Sequence, residues 1–355
     1  MPAFRIFGCE PRKQPAENVR PFAGGSRLSE LSPSISVIVP VNNGGLEFVK
    51  CMLCLLDASP APGEIIVVAD GDEGNSWREA QKLGVRVIRE PVSGGPAKAR
   101  NRGAREATGD ILLFIDADVA VPSGLIGQVT EIFRREPDLA AIIGSYDDDP
   151  GAGDFFSRYK NLFHHFTHQQ ANSQASTFWG ACGAIRREIF LASGGFDESY
   201  RKPSIEDIEL GYRLTAAGHR IKLVKSLQVK HLKRWGWLSL LKVDFFQRAL
   251  PWTELILRDR RFISDLNLRI SSRISVLTSY AILSALVGAV LWPRLFIVAI
   301  LLALLLLLLN SQLVLFFHSK GGWWFAAKAL AWHYLYFLYS GLAFAIGMAK
   351  HLSHR

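Results

Sequence analysis

Acidic residues follow apolar runs at two places in the chain, and a third acidic pair lies further on. Asp70 ends the run EIIVVAD, and Asp116 and Asp118 follow the run DILLFI. The pair Glu206-Asp207 begins a stretch with a helical pattern. Carboxylates at the end of a buried strand cost free energy unless a cation binds them, and a hard divalent ion such as Mg²⁺ or Mn²⁺ suits oxygen ligands. Each group alone is also compatible with a solvated turn.

The elements around these residues predict how they are positioned. Apolar, β-rich runs alternate with helical patterns over the first part of the chain. Strands are predicted at residues 35–40, 64–69, 85–88, 110–115, 139–145 and 221–229. This alternation predicts an α/β fold with a mostly parallel, doubly wound sheet and flanking helices. Ligands bind at the carboxyl ends of strands in such sheets, where Asp70, Asp116 and Asp118 lie.

Several motifs occur in a fixed order, and together they resemble a family 2 glycosyltransferase with the GT-A fold. The resemblance runs from about residue 36 to residue 231. The matching pieces are SVIVPVNN, VVADGD, GGPAKARNRGAREATGDILLFIDAD, RREIFLASGGFDE and SIEDIELGYRL. One departure is Asn42-Asn43-Gly44, where relatives usually carry Tyr-Asn-Glu.

The resemblance implies a site for a UDP- or GDP-linked sugar donor. It assigns Pro40, Asn43, Asp70, Arg100 and Asp116 to the nucleotide. Asp70 would accept a ring N–H of the base, Arg100 would face the nucleotide and Asp116 the ribose.

The resemblance also implies a metal and a catalytic base. Asp118, with Asp116, would bind Mn²⁺ or Mg²⁺, which bridges the two phosphates, and His231 could be a further metal ligand or an acceptor contact. Asp207 would take the proton from the acceptor hydroxyl, with Glu206 as the next candidate. Acidic residues at a helix start also suit the helix dipole without any catalytic role.

The segment His231-Leu-Lys-Arg234-Trp235 resembles the family's Gln-x-x-Arg-Trp signature with His in place of Gln. This departure argues against processive polymer synthesis. Arg234 and Trp235 could contact a phosphate or the acceptor. They could equally form a juxtamembrane basic patch with an interfacial tryptophan.

Three histidines, His164, His165 and His168, lie in the aromatic stretch 155–170. They could form a metal cluster, but we favour a surface or membrane-facing helix.

Charge and hydropathy predict a membrane partner. The net charge is +9, and residues 219–273 hold 13 Lys or Arg against 4 Asp or Glu. A basic stretch directly before apolar segments indicates anionic headgroups or phosphate-bearing substrates, not nucleic acid. Residues 276–292 and 295–317 are predicted spans, whereas the depth of residues 323–349 is open. The start of the chain has no apolar signal-peptide core, so the catalytic domain is expected on the cytoplasmic side.

These patterns predict four regions: a loose leader at 1–34, a GT-A catalytic domain at 35–234, a basic amphipathic juxtamembrane region at 235–273 and a membrane region at 274–355. The expected protein is an inverting glycosyltransferase acting on a lipid or lipid-linked acceptor, multi-pass in the plasma (inner) membrane. The alternatives are a polysaccharide synthase subunit and a non-enzymatic membrane scaffold with a degenerate GT-A domain. Hydrophobic residues make up 49% of the chain, which excludes a disordered protein.

Overall fold

The computed structural model describes residues 32–260, 263 and 265–353. The predicted leader therefore lies almost entirely outside the described residues. The chain divides into two units. Among the described residues, the first comprises 32–146, Thr177–Lys202 and Glu206–Lys233, and the second comprises Asp147–Ser176, Pro203–Ile205 and those after residue 233.

The first unit is built on a mixed β-sheet. Within the described residues its strands are β1 (Ile35–Val41), β2 (Glu64–Asp70), β3 (Arg86–Glu90), β4 (Ile111–Ile115), β5 (Val119–Ala120), β6 (Leu139–Tyr146), β8 (Cys182–Arg186) and β9 (Arg220–His231). They lie in the order β3-β2-β1-β4-β8-β6-β9-β5. The short strand β7 (Gln174–Ala175) belongs to the second unit.

The predicted α/β fold is confirmed. Strands β1 to β4 pair in parallel, as do β6 and β9. Strands β1, β2 and β4 are buried along nearly their whole length, because a parallel sheet is covered on both faces. The helices of this unit are α1 (Gly45–Leu56), α2 (Ser76–Lys82), α3 (Pro96–Glu106), α4 (Leu125–Arg135), α6 (Arg187–Ala192) and α7 (Glu206–Ala216).

Two strands of the first unit are absent from the sequence prediction. One is β8, an antiparallel strand between β4 and β6. A Cβ atom on Gly183 would lie 2.3 Å from the carbonyl oxygen of Trp179, so this strand needs a glycine there. The two-residue strand β5 pairs antiparallel with β9 and carried no sequence signal.

The second unit is largely helical. It contains α5 (Phe155–Gln170), α8 (Trp237–Lys242), a π-helix (Val243–Ala249), α9 (Leu250–Asp259), a 3₁₀ helix (Leu266–Leu268), α10 (Ile270–Gly288), α11 (Leu295–Leu309) and α12 (Ser311–Ser353). A buried aromatic and aliphatic cluster joins α5, α8 and α12, with Tyr159, Leu240 and Phe317 near its centre.

Two helices of the second unit, α10 and α12, are long and apolar enough to cross a membrane. The segment 295–317 is not a single helix, because α11 ends at Leu309. The amide of Asn310 donates to the carbonyl of Leu306 at 2.9 Å and to the hydroxyl of Ser275 at 3.0 Å. Gly322, at φ 73°, interrupts α12 where the third predicted segment begins.

The expectation of a surface helix at the three histidines is wrong for two of them. His165 and His168 are buried inside the second unit, and the ring of His165 stacks on Phe316 at 5.8 Å. The described residues include no group of three or more His, Cys, Asp or Glu side chains able to hold a metal. Packing therefore explains His165 and His168.

Glu64 generates a prediction about acid stability. Its carboxylate accepts hydrogen bonds from the Ser36 hydroxyl at 2.6 Å and from the backbone N–H and hydroxyl of Thr108 at 2.7 Å. Burial acts to raise the pKa of Glu64, but these donors and Arg86 outweigh burial and hold the pKa below 4.5. A lowered pKa in the folded state stabilises the fold above the unfolded pKa, and this stability is lost as the pH falls through the folded pKa.

We therefore expect Glu64→Gln to destabilise the first unit by on the order of 1 kcal/mol at pH 7 and by less near pH 3. Thermal melts of wild type and variant across this range measure the difference. Glu79→Gln, at an exposed ion pair with Lys82, is the control. A Glu64→Gln deficit that does not change with pH would contradict the assignment.

Candidate active site

Asp70 organises the loop that follows β3. Its carboxylate is buried and accepts hydrogen bonds from the Ser93 hydroxyl at 2.8 Å, the Gly94 N–H at 2.8 Å and the Gly95 N–H at 2.9 Å. A carboxylate offers about four acceptor positions, so about one remains for another donor. Gly95, at φ 92°, needs glycine, since its Cβ would lie 2.4 Å from the Arg201 carbonyl oxygen.

The residues after β1 hold the neighbouring loop. The amide of Asn42 donates to the carbonyl of Asp70 at 2.5 Å. The side-chain oxygen of Asn43 accepts from the Gly74 N–H at 2.7 Å, and the Asn43 N–H donates to Asp72 at 3.0 Å. Asn43 thus fixes the turn after β2, while Pro40 is half-buried within β1.

Arg100 joins two carboxylates far apart in sequence. One guanidinium nitrogen donates to Asp116 at 2.7 Å and another to Glu206 at 2.9 Å. The Arg100 side chain is only 6% exposed. Burial acts to lower the pKa of Arg100, but the charges of Asp116 and Glu206 outweigh burial and raise the pKa, so the guanidinium stays charged. A Cβ on Gly180 would lie 2.8 Å from this guanidinium, so Gly180 leaves room for it.

Helix α7 places the two adjacent acidic residues in different environments. Glu206 is buried in the ion pair with Arg100, whereas Asp207 is partly exposed. The Asp207 carboxylate accepts hydrogen bonds from the Gly180 N–H at 3.1 Å and the Ile208 N–H at 2.8 Å. Helix α7 packs directly on the backbone before β8, since a Cβ on Gly211 would lie 2.2 Å from the Phe178 nitrogen. These contacts fix the position of Asp207.

Two residues without a predicted role support the turn at Gly194 and Gly195. The Asn101 side chain accepts from the Phe196 N–H and donates to the Phe196 carbonyl, both at 2.8 Å. Arg213 donates to the carbonyls of Ser193 and Gly195 and pairs with Glu209. Asn101 and Arg213 both lie inside motifs that match the family, and this position is the sequence feature that could have identified them.

His231 lies next to Asp118, although 113 positions separate them in the chain. The antiparallel pairing of β5 with β9 sets Val119 opposite His231 and thereby causes this proximity. His231 Nε2 lies 3.7 Å from Asp118 Oδ2, and the imidazole stacks on Tyr146 at 4.3 Å. Tyr146 in turn contacts the ring of Trp179 edge-on. Sequence reasoning missed both aromatic residues.

Asp118 and His231 fit a divalent metal in the chemistry of their donors. The Asp118 side chain is 29% exposed and the His231 side chain 8%. Burial acts to raise the pKa of Asp118, but His231 and Lys233 outweigh burial and keep the pKa below its ordinary value. Two protein ligands suit Mg²⁺ or Mn²⁺, which usually keep waters and substrate phosphates as the others. Asp116, by contrast, is engaged by Arg100.

Arg234 and Trp235 belong to the second unit. The Arg234 guanidinium is largely exposed and lies 3.4 Å from Asp154. Trp235 is buried, and its backbone N–H donates to the Ser157 hydroxyl at 2.8 Å. Within its unit, Trp235 is thus a packing residue, while Arg234 stays accessible.

Residues 36–193 match the family model described as Glycosyl transferase family 2. A glycosyltransferase of Streptococcus pneumoniae, GlyG, is 33% identical over 132 residues, covering 36% of this chain and 44% of the relative. A dolichol-phosphate mannosyltransferase of Pyrococcus furiosus is 37% identical over 86 residues, 23% of this chain and 24% of the relative. The chain thus spans less than half the length of either relative.

A solved structure resembles nearly the whole chain. It is the mannosyltransferase PcManGT of Pyrobaculum calidifontis in complex with GDP-Man and Mn²⁺, with a TM-score of 0.57, 15% identity and coverage of 89% of this chain and 88% of that one. At this identity the likeness shows the fold. The family match assigns residues 36–193 to a family 2 glycosyltransferase domain, and the sheet and the likeness to this structure show the GT-A fold.

Proposed function

We propose that this protein is an inverting glycosyltransferase that transfers a sugar from a nucleotide-sugar donor to a lipid or lipid-linked acceptor at the cytoplasmic face of a membrane. In this reaction an acceptor hydroxyl or phosphate oxygen attacks the anomeric carbon of the sugar. The bond from that carbon to the nucleoside diphosphate breaks, and a hydroxyl acceptor gives its proton to a base.

The contrast between Glu206 and Asp207 carries the proposal. Glu206 is 4% exposed and its carboxylate is used by Arg100. Asp207 is more exposed, and the backbone N–H groups of Gly180 and Ile208 hold its carboxylate in place. We therefore assign Asp207 as the general base and Glu206 as a residue that positions Arg100.

On the donor side, Asp70 retains an acceptor position for a ring N–H of the base, while it shapes the loop of Ser93, Gly94 and Gly95. Asp116 would contact the ribose. Arg100 is enclosed by Asp116 and Glu206, so its proposed role is to align Asp116 for the nucleotide. Asn43 contributes through the loop after β1, and Pro40 through the end of that strand.

Asp118 and His231 would hold the divalent metal. A metal bound there would neutralise charge on the departing nucleoside diphosphate. Asp116 would contribute indirectly, because Arg100 holds its carboxylate. The stack on Tyr146 fixes the plane of the His231 ring and so orients its nitrogen.

The apolar helices support a lipid acceptor. Helices α10 and α12 could anchor the protein in a bilayer, and the basic residues of the 235–273 region would favour an anionic membrane surface. Exposed Trp237, Leu238 and Phe246 give this region an apolar face for the interface.

Incubating membranes that contain the full-length protein with radiolabelled UDP- and GDP-sugars tests the proposed acceptor. We expect label from one donor to enter the organic-solvent extract, with release of the nucleoside diphosphate. Membranes carrying the Asp207→Asn variant are the blank. Label found only in polypeptide or water-soluble polymer would overturn the lipid acceptor.

We expect Asp207→Asn to lower kcat by about 10²–10⁴-fold and to leave donor affinity unchanged, because the amide keeps the shape but cannot take the proton. Single-turnover kinetics and nucleotide-sugar binding measure the two effects. Asp138→Asn, an exposed residue of the same unit, is the matched control.

Glu206→Gln provides the contrast. It leaves the buried Arg100 charge with less compensation, so we expect a loss of roughly 1–3 kcal/mol in stability. A near-normal kcat in Asp207→Asn would move the base elsewhere.

We expect His231→Gln to raise the Mn²⁺ concentration needed for half-maximal activity and to weaken Mn²⁺ binding in the presence of the nucleoside diphosphate. Loss of a ligand reduces affinity, whereas the amide keeps similar volume. Electron paramagnetic resonance of free Mn²⁺ measures the binding. His219→Gln, on the same unit, is the control. Unchanged Mn²⁺ affinity in both His231→Gln and Asp118→Asn would contradict the site.

A further inference from the structure

A cavity of about 280 Å³ lies inside the second unit. Its walls come from the C-terminal half of α5, the 3₁₀ helix, the start of α10 and the junction between α11 and α12, with α12 residues near His333 closing it. All of these segments belong to the second unit. Since small-molecule pockets span roughly 300–1,000 Å³, this volume suits a headgroup-sized ligand.

Part of the cavity lining is polar. Arg269, Ser271 and Ser272 line it at the beginning of α10, and amides of Gln170, Asn267 and Gln312 line it from neighbouring segments. The first turn of α10 also presents backbone N–H groups that lack partners within the helix, and this end carries the positive side of the helix dipole. This set of donors suits an anionic group.

Arg269 supplies a positive charge with no acidic partner in the described part of the chain. The nearest acid in sequence is Asp265, whose carboxylate accepts from the Asn172 N–H at 3.4 Å. The Arg269 side chain makes no capping hydrogen bond to α10. Arg269 lines the cavity, and the planar fork of a guanidinium matches the geometry of a phosphate.

The cavity wall also contains apolar side chains. Phe163, Phe166, Leu308, Leu313 and Phe337 line it. A ligand that carries both a phosphate and hydrocarbon suits this mixed lining. The polar sequence Asn310-Ser311-Gln312, which separates α11 from α12, also lies at this cavity.

We propose that the second unit binds the phosphate headgroup of an anionic lipid in this cavity, with Arg269 as the principal contact and the start of α10 as the second. The site involves none of the residues assigned to sugar transfer. A failure of this proposal would therefore leave the proposed function unaffected, and the reverse also holds.

The test uses the full-length protein in neutral detergent micelles, with native mass spectrometry and thermal melting as readouts. The probe is a short-chain phosphatidic acid, and phosphatidylcholine of the same chain length is the neutral comparison. We expect phosphatidic acid to bind and to raise the melting temperature. Arg269→Gln should weaken this binding by at least about tenfold, as loss of a charge-assisted contact predicts.

Arg294→Gln is the matched control, because Arg294 is exposed in the same unit and does not line the cavity. Ser272→Leu, which fills the cavity from the start of α10, should also weaken binding. Free glycerol phosphate distinguishes the source: competition with phosphatidic acid at equal concentration would assign the site to soluble phosphates and overturn the lipid. Equal losses in Arg269→Gln and Arg294→Gln would show surface attraction only and would also overturn it.

Discussion

The first unit depends on a buried positive charge. Arg100 must remain ionised inside the protein, and it does so because Asp116 and Glu206 each supply a carboxylate within 2.9 Å. Breaking such a buried pair typically costs about 3–5 kcal/mol, since the remaining charge stays buried without compensation. Arg100 belongs to α3, Asp116 follows β4 and Glu206 begins α7, so this interaction holds three elements in one arrangement. Because Glu206 is held by Arg100, the adjacent residue Asp207 at the start of α7 is held in position as well.

Close backbone contacts, in addition to the ion pair, position α7 and the Arg100 side chain. Gly211 lets α7 pack against the backbone at Phe178, and Gly180 leaves room for the Arg100 guanidinium. The same residue, Gly180, donates its N–H to Asp207. A side chain at position 180 would therefore disturb the ion pair and the base together. This coupling is a physical reason for a small residue between two charged ones.

Much of this arrangement could be predicted from the sequence, because its signals are local. Apolar runs that end in Asp70 and Asp116 indicated both the strands and the sheet edge, and the motif order gave the fold. The proximity of His231 to Asp118 could not be predicted from local sequence signals, because it depends on β5, a strand of only two residues. Strand β8 was missed because its small residues carry no β-rich pattern. The resemblance ranked Asp207 above Glu206 as the base, but the pairing of Glu206 with Arg100 is a contact between distant positions that no local signal predicts.

The second unit treats two of its cations differently. Lys160 and Asp244 form an ion pair at 2.5 Å, and the Tyr339 hydroxyl donates to the same aspartate at 2.9 Å. Burial lowers the pKa of Lys160, although Asp244 opposes the shift. This pair links α5 to the π-helix, so its desolvation is offset within the fold. Arg269 has no such acidic partner among the described residues, and it faces a cavity instead of a carboxylate. A unit that compensates one cation internally and leaves another at the wall of a cavity has a place for an anion from outside.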